Sequence, residues 1–537
     1  MGTFSPSPPK RPSLARSLVS ACVATALALQ PVGPAMLGAS AAQAQETPVK
    51  SDATQSIYAP ARPPAEPSPQ APTTALPDLG DESQSLVSPA QERKLGESVV
   101  RQIRAAGAYL DDPEVNDYLN DLGQRLVVAV PDSTQSFEFF AVGDPSINAF
   151  ALPGGYVGVN TGLILLTQSE SELAAVLAHE ITHVTQHHFT RAMAGQQRSL
   201  LYTLAALAVA IAASRSNSSS AAPVTNAAIA SAQAIAMQSQ LNYTRENEYE
   251  ADRIGFQRLD AAGFDDTAMA TMMQRLQKQT RFGESNAPSY LRTHPITYAR
   301  IAEAQARAQG KPYRQVPDSL DFQMVRALLK SYTGTPQEAV AWFDDAIKEH
   351  KYNSEVAAHY GLVASLLRAG DLKRAKVELA TLEKMAPPHP MVEAMAGHVY
   401  MDSGDLDAAI ARFRAALVRY PNKMQLVYDY PEALLKAKRP KEAVDFVERE
   451  LQRFPDSGPL HRIAAQAYAD LGKKMQQYRH QGEFYAWQGD LRGAVYQLEL
   501  ATKAGDGDFY QASVVEARLR TLRRELAEQQ AAQAKNG

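Results

Sequence analysis

Residues 179–183 read His-Glu-Ile-Thr-His. Two imidazoles four residues apart share one face of a helix, about 6 Å apart at Cβ. That spacing lets one nitrogen from each reach a single Zn²⁺ at about 2.0–2.1 Å. Glu180 sits beside the first histidine, within reach of a water at the ion's open position. Zinc would lower that water's pKa, and the Glu180 carboxylate would take its proton. The chemistry such a trio performs is metal-assisted hydrolysis of a peptide bond.

These residues need a helix to hold them. Ser169-Glu170-Ser171-Glu172 reads as a capping box that starts one. Leu173, Val176, Leu177, Ile181 and Val184 give it an apolar back face. A catalytic zinc also needs a third protein ligand. The extended HExxHxxGxxH pattern is absent, since Gln186 and Phe189 hold its Gly and His positions. His187 would lie ~12 Å along the helix axis from His179, too far to share the ion. With His188 it reads as a surface or second-sphere residue. The better source is Glu248-Tyr249-Glu250-Ala251-Asp252. On a second helix Glu248 would bind zinc, and Asp252, four residues on, would hold a ligand histidine by its free N–H. Spacing favours Glu248 modestly over Glu246 and Glu250. Arg253 and His294 are candidates to steady the oxyanion of the reaction.

The chain has 537 residues and a net charge of −4, so no basic bias points to nucleic acid. The N-terminus reads as a secretory signal. Lys10, Arg11 and Arg16 precede an apolar stretch at 17–29, and Ala42-Gln43-Ala44 suits cleavage, giving a signal peptide over 1–44. The single cysteine, Cys22, lies inside it. The mature chain is therefore expected to have neither disulfides nor a thiol ligand. Residues 45–85 are Pro-rich without apolar periodicity and read as a disordered linker.

Order is expected from Ser88-Pro89-Ala90-Gln91, a helix start with an N-cap and a proline in its first turn. A second helix is predicted over 113–128. Strand-type residues follow at 137–142 and 147–159, the latter interrupted by Pro153-Gly154-Gly155. From about 161 to 308 the pattern is mostly helical. An apolar run at 200–213 is short for a membrane span. It reads as a buried helix or as a peripheral membrane contact. From about 318 a period of 34 residues appears: Ala375, Ala409 and Ala443 share it, as do Pro387, Pro421 and Pro455. That is the tetratricopeptide period. Gly397, Tyr400, Ala409, Phe413, Ala416 and Pro421 fit its pattern, and 320–350 reads as a degenerate first copy. Ala494 follows Ala443 by one and a half periods, so an extra helix is expected between them. Stacked repeats bury their faces on one another and offer a concave binding surface.

At His179-Glu180-Ile181-Thr182-His183 and Glu248-Tyr249-Glu250-Ala251-Asp252 the sequence resembles the M48 family of zinc metallopeptidases. The resemblance implies Glu248 as third ligand of one zinc per chain and Asp252 as its second-shell partner. It implies a mostly helical α+β zincin-type domain with a small sheet at 86–310. An all-α repeat solenoid follows at 318–525, with a disordered tail at 526–537. Signal peptide, peptidase domain and C-terminal repeats together look like a periplasmic branch of the family in Gram-negative bacteria. That likeness implies unfolded or misassembled outer-membrane proteins as substrates and the outer-membrane barrel assembly machinery as a partner of the repeats. It also implies His294, in Leu291-Arg292-Thr293-His294-Pro295, as a regulatory fourth ligand, and an edge strand at 147–153 that an extended substrate would join. The Pro-rich linker and the Ala/Ser-rich stretch at 214–235 depart from that branch.

Two functions compete at this level. One is an endopeptidase in outer-membrane protein quality control. The other is a chaperone or assembly scaffold whose proteolysis is latent or secondary. The intact Glu180 favours the first, because a pure scaffold has no need of that carboxylate.

Overall fold

The computed structural model describes residues 88–130, 135–192, 245–279, 289–312 and 314–536. The expected signal peptide, the linker, the apolar run 200–213 and the stretch 214–235 lie outside the described residues. Among the described residues no helix is long and apolar enough to cross a membrane.

Helix α1, Pro89–Ala105, starts as its sequence predicts. Ser88 Oγ accepts from Gln91 N, and Gln91 Oε1 accepts from Ser88 N, so two otherwise orphaned donors are satisfied together. Helix α2, Pro113–Ala129, is capped by Asp112. Its far end is closed by the buried Arg258, whose Nη1 donates to the carbonyls of Leu126 and Val127. Three short strands follow: β1 Glu138–Val142, β2 Ala149–Leu152 and β3 Tyr156–Asn160. β3 is central, parallel to β1 and antiparallel to β2, which leaves β2 on an edge. The β2–β3 turn places Gly154 and Gly155 at φ of 78° and 86°, conformations that glycine adopts without strain.

Helix α3 spans Thr161–Leu166 and α4 spans Glu170–Thr185. The expected capping box of α4 is only half formed. Ser169 Oγ accepts from Glu172 N, but Glu172 Oε2 accepts from Gln168 N instead of Ser169 N. Arg275 accounts for the difference: its guanidinium donates to both Glu172 oxygens and so competes with Ser169 N for the carboxylate. Arg275 stands on α6, Ala268–Gln279, which follows helix α5 over 245–261. Two more helices, α7 Ser289–Thr293 and α8 Tyr298–Gln309, complete this part.

The repeats follow as antiparallel pairs: α9 Leu320–Ser331 with α10 Pro336–Lys348, and α11 Glu355–Ala369 with α12 Leu372–Met385. Next come α13 Pro390–Asp402 with α14 Leu406–Arg419, and α15 Met424–Lys436 with α16 Pro440–Arg453. Helix α17, Gly458–Asp470, is the extra element that the shifted period implies. A last pair, α18 Lys474–Gln488 and α19 Leu491–Lys503, leads into α20. Helix α20 runs from Phe509 to Asn536, so residues 526–536 are helical rather than a disordered tail. Their Ala, Gln, Glu and Lys content explains this, since all four are strong helix formers.

The N-terminal part and the first repeats share one apolar core, which runs from Val115 through Leu177 and Tyr360 to Val399. Polar bonds rim that junction. Tyr360 Oη donates to Glu114 Oε2 at 2.6 Å, and Tyr332 Oη donates to Asp112 Oδ2 at 2.7 Å. Asp117 accepts from Met424 N at 2.8 Å, capping α15 from the other part of the molecule. Helix α2 thus lies against the first helices of three repeats, and that stretch of the array is not free for a partner.

Candidate metal centre

Helix α4 presents His179 and His183 one turn apart, with all of its length buried except at His183. Helix α5 crosses it closely because residue 255 is glycine. A Cβ there would lie 3.2 Å from Ala178 O and 3.2 Å from His179 N, tight enough that the α4 backbone would have to shift by a few tenths of an ångström. This approach sets Glu248, two turns earlier on α5, opposite the histidines. His294 follows α7. Its N–H donates to Tyr290 O at 2.8 Å, and its ring stacks on the Tyr290 ring at 4.7 Å. Tyr290 N in turn donates to Ile147 O, just ahead of β2.

Four side chains converge: His179, His183, Glu248 and His294, with one ligand atom from each inside a 4.8 Å span. His179 Nε2 lies 3.0 Å from His183 Nε2, 3.4 Å from His294 Nδ1 and 3.4 Å from Glu248 Oε2. Glu248 Oε1 lies 3.4 Å from His183 Nε2 and 2.9 Å from His294 Nδ1. A tetrahedral ion with ligands at about 2.0–2.1 Å needs ligand atoms about 3.3 Å apart. The cluster has that size, and its imidazole and carboxylate donors suit zinc or a similar ion. Glu180 is 1 % exposed, and among the described residues its Oε1 has no hydrogen-bond partner; His294 Nε2 is 3.6 Å away. A buried carboxylate oxygen left open in this way is costly unless a further group completes the site.

The electrostatics point the same way. Burial pushes the His179 imidazole down, but hydrogen bonds to Asp252 and Glu248 outweigh it and carry it up to about 10. Burial, and then the neighbouring His179, push His183 well below its usual range. Burial raises the Glu248 carboxyl, yet His294 and His179 beside it hold it well below the carboxylate range. A field that favours a proton on His179 also favours a cation at the focus of the cluster.

Around this centre Asp252 Oδ1 lies 3.1 Å from His179 Nδ1, the nitrogen facing away from the cluster. Of the rival carboxylates, Glu246 is exposed, and Glu250 pairs with His188 and Arg191. Arg253 is not brought to the centre. It is exposed on α5, about 140° round the helix from Glu248, so its placement speaks against an oxyanion role. His187 follows α4 in the left-handed region with φ 52° and is not part of the four-residue cluster.

One residue escaped the sequence reading. Arg300 is 3 % exposed, and its Nη1 lies 2.7 Å from Glu248 Oε2. Its Nε and Nη2 bond both oxygens of Asp252, and its Nη1 also donates to Pro295 O at 2.7 Å. The available signal was a charge set in the apolar stripe of α8, beside Ile301 and Ala304.

The model of Peptidase family M48 matches residues 113–308, and that of the tetratricopeptide repeat matches 394–458. The beta-barrel assembly-enhancing protease of Escherichia coli K12 is 32% identical over 449 residues, 83% of this chain and 91% of that one. The protein of the same name from Yersinia pestis is 31% identical over 84% of this chain and 92% of its own length. The mitochondrial metalloendopeptidase OMA1 of Schizosaccharomyces pombe is 30% identical over 195 residues, 35% of this chain and 51% of that one. With these relatives and this cluster, the chain belongs to peptidase family M48 and is a metalloendopeptidase that carries C-terminal tetratricopeptide repeats.

Proposed function

We propose that the chain is a zinc endopeptidase of the Gram-negative periplasm, acting on misfolded or stalled outer-membrane β-barrel proteins. The single observation that carries the reading is the convergence of His179, His183 and Glu248 around one point, with the open Glu180 Oε1 beside it. In this reading those three residues hold one zinc per chain. The ion would supply Lewis acidity, lowering the pKa of a water and polarising the scissile carbonyl. Glu180 takes the proton of the attacking water and delivers it to the leaving amine nitrogen. Asp252 holds His179 by its Nδ1–H. His294 is a fourth, regulatory ligand whose withdrawal opens the site to substrate. An extended substrate joins the edge of β2 by backbone bonds. The relatives from Escherichia coli and Yersinia pestis, beta-barrel assembly-enhancing proteases by name, support a role in β-barrel protein assembly. The repeats recruit the substrate or the machinery that assembles it.

A second reading, an assembly scaffold with secondary proteolysis, is favoured by one observation: His294 stands inside the cluster. Wild type, Glu180→Gln and His294→Ala separate the two in a cleavage assay on an unfolded outer-membrane barrel protein, with zinc measured in parallel. The peptidase reading expects one zinc in each and cleavage that Glu180→Gln abolishes. Full zinc with no cleavage, even in His294→Ala, would sink it. Complementation of an outer-membrane assembly defect by Glu180→Gln would support the scaffold.

A further inference from the structure

His188 lies five residues beyond His183. On an unbroken helix it would point about 140° away from it. The chain prevents this. His187 takes the left-handed conformation, α4 stops, and a new helical turn over 188–192 begins. The reversal returns the His188 ring to His183, edge to face at 4.8 Å between centroids. The two Nδ1 atoms come to 2.8 Å. His188 Nε2 lies 3.1 Å from Glu250 Oε2, and Arg191 Nη1 donates to the same oxygen at 2.9 Å. His188 is 5 % exposed.

The donors and acceptors of this chain fit in one order. His183 turns Nε2 to the metal cluster, so its proton sits on Nδ1. The Nδ1–H must donate, and among the described residues its partner is His188 Nδ1 at 2.8 Å, which therefore carries a lone pair. The His188 proton then sits on Nε2 and donates to Glu250. The guanidinium of Arg191 keeps Glu250 an acceptor.

We propose that His188 is a positioning residue for the metal centre: its Nδ1 accepts the Nδ1–H of His183 and fixes that ring with Nε2 on the ion, while Glu250 fixes His188. The proposal rests on the assignment of His183 as a ligand. It gives the two ligand histidines different supports. His179 is held by a carboxylate, Asp252, which adds negative charge to the ring. His183 is held by a neutral imidazole, which orients it without adding charge. Glu250, a rival third ligand by spacing, has a use in this scheme that spacing does not reveal. Partners of this kind usually change metal affinity by about 10–100-fold when removed.

The test is zinc affinity of the full chain, measured by competition with a chromophoric chelator, with thermal melting of the metal-free protein as a check on folding. His188→Phe keeps the ring shape without an acceptor, and its zinc Kd is expected to rise about 10–100-fold. His188→Gln offers a carbonyl to His183 and an amide to Glu250, and should recover most of the affinity. Glu250→Ala frees His188 and should weaken zinc by a smaller factor. If His188→Phe does not fold, His188→Gln and Glu250→Ala carry the test between them. A wild-type Kd in His188→Phe, a His188→Gln no better than Phe, or an unchanged Kd in Glu250→Ala each overturn the proposal. His183→Ala separates this failure from that of the ligand assignment. Loss of zinc in His183→Ala leaves the assignment standing, and retention of zinc there removes it.

Discussion

Arg300 clasps Asp252 through two bonds, Nε to Oδ2 at 2.6 Å and Nη2 to Oδ1 at 2.8 Å, within a region closed to solvent. The same guanidinium reaches Glu248 and the carbonyl of Pro295. One side chain thus ties together a metal-cluster carboxylate, the partner of His179 and the segment that bears His294. Removing it leaves two buried carboxylates without their cation. Arg300→Leu is expected to destabilise the fold by about 3–5 kcal/mol in urea denaturation. Arg300→Lys should recover little, because an ammonium cannot match the planar fork. Wild-type stability in Arg300→Leu would contradict the role.

Gly255 controls the distance between α5 and α4 at His179. Gly255→Ala places a methyl 3.2 Å from two backbone atoms of α4, so the helices must separate by a few tenths of an ångström. Misplacement by 1 Å can cost about 100-fold in rate. Gly255→Ala is expected to lower kcat/KM about tenfold with little change in melting temperature. Gly255→Leu should lose zinc as well. Unchanged kinetics in Gly255→Leu would show that this contact does not set the geometry.

His294 offers the test of regulation. Its Nδ1 lies 2.9 Å from Glu248 Oε1, inside the four-residue cluster. His294→Ala should raise cleavage of unfolded substrate several-fold while zinc stays at one per chain. A fall in cleavage with zinc retained would mean that His294 assists the reaction instead of restraining it.

Glu114 makes the junction with the repeats sensitive to pH. Part of its side chain meets solvent, but its carboxyl end is embedded beside Asp112, Tyr360, His398 and Asp429. Burial, then the charge of Asp112, push it up to about 8 from the ordinary 4.5. The folded chain therefore keeps a proton that the unfolded chain releases above about 4.5. Its stabilising effect is full below that value and fades as pH rises toward 8. His398, driven up to about 9 against its own burial chiefly by Asp429, acts in the same direction at the upper end. The urea midpoint should fall between pH 5 and pH 8, and Glu114→Gln should flatten that slope. The change is on the order of 1–2 kcal/mol, given the partial exposure. An equal slope in Glu114→Gln would assign the titration elsewhere.

What the sequence made legible was local or periodic. His179 and His183 need only the helical repeat, and the 34-residue period exposes the array and its extra helix α17. Glu248 was less legible, because Glu246 and Glu250 share its neighbourhood and only the crossing of α5 over α4 separates them. Arg300 and His188 act through space. Nothing in spacing says that an arginine 48 positions after Asp252 will meet it, or that His187 will turn left-handed and fold His188 back. The capping box at Ser169 was half right for a related reason: Arg275, a hundred residues on, redirects Glu172.

Because one core runs from Val115 to Val399, the cutting centre and the first repeats bury apolar surface on each other. A blade made without its handle would expose the apolar flank of α2 to water and lose the stability that this burial supplies. Damage to the early repeats would then disarm the enzyme before it freed it, so an unattached, unguided protease is not a product that wear on this molecule readily yields.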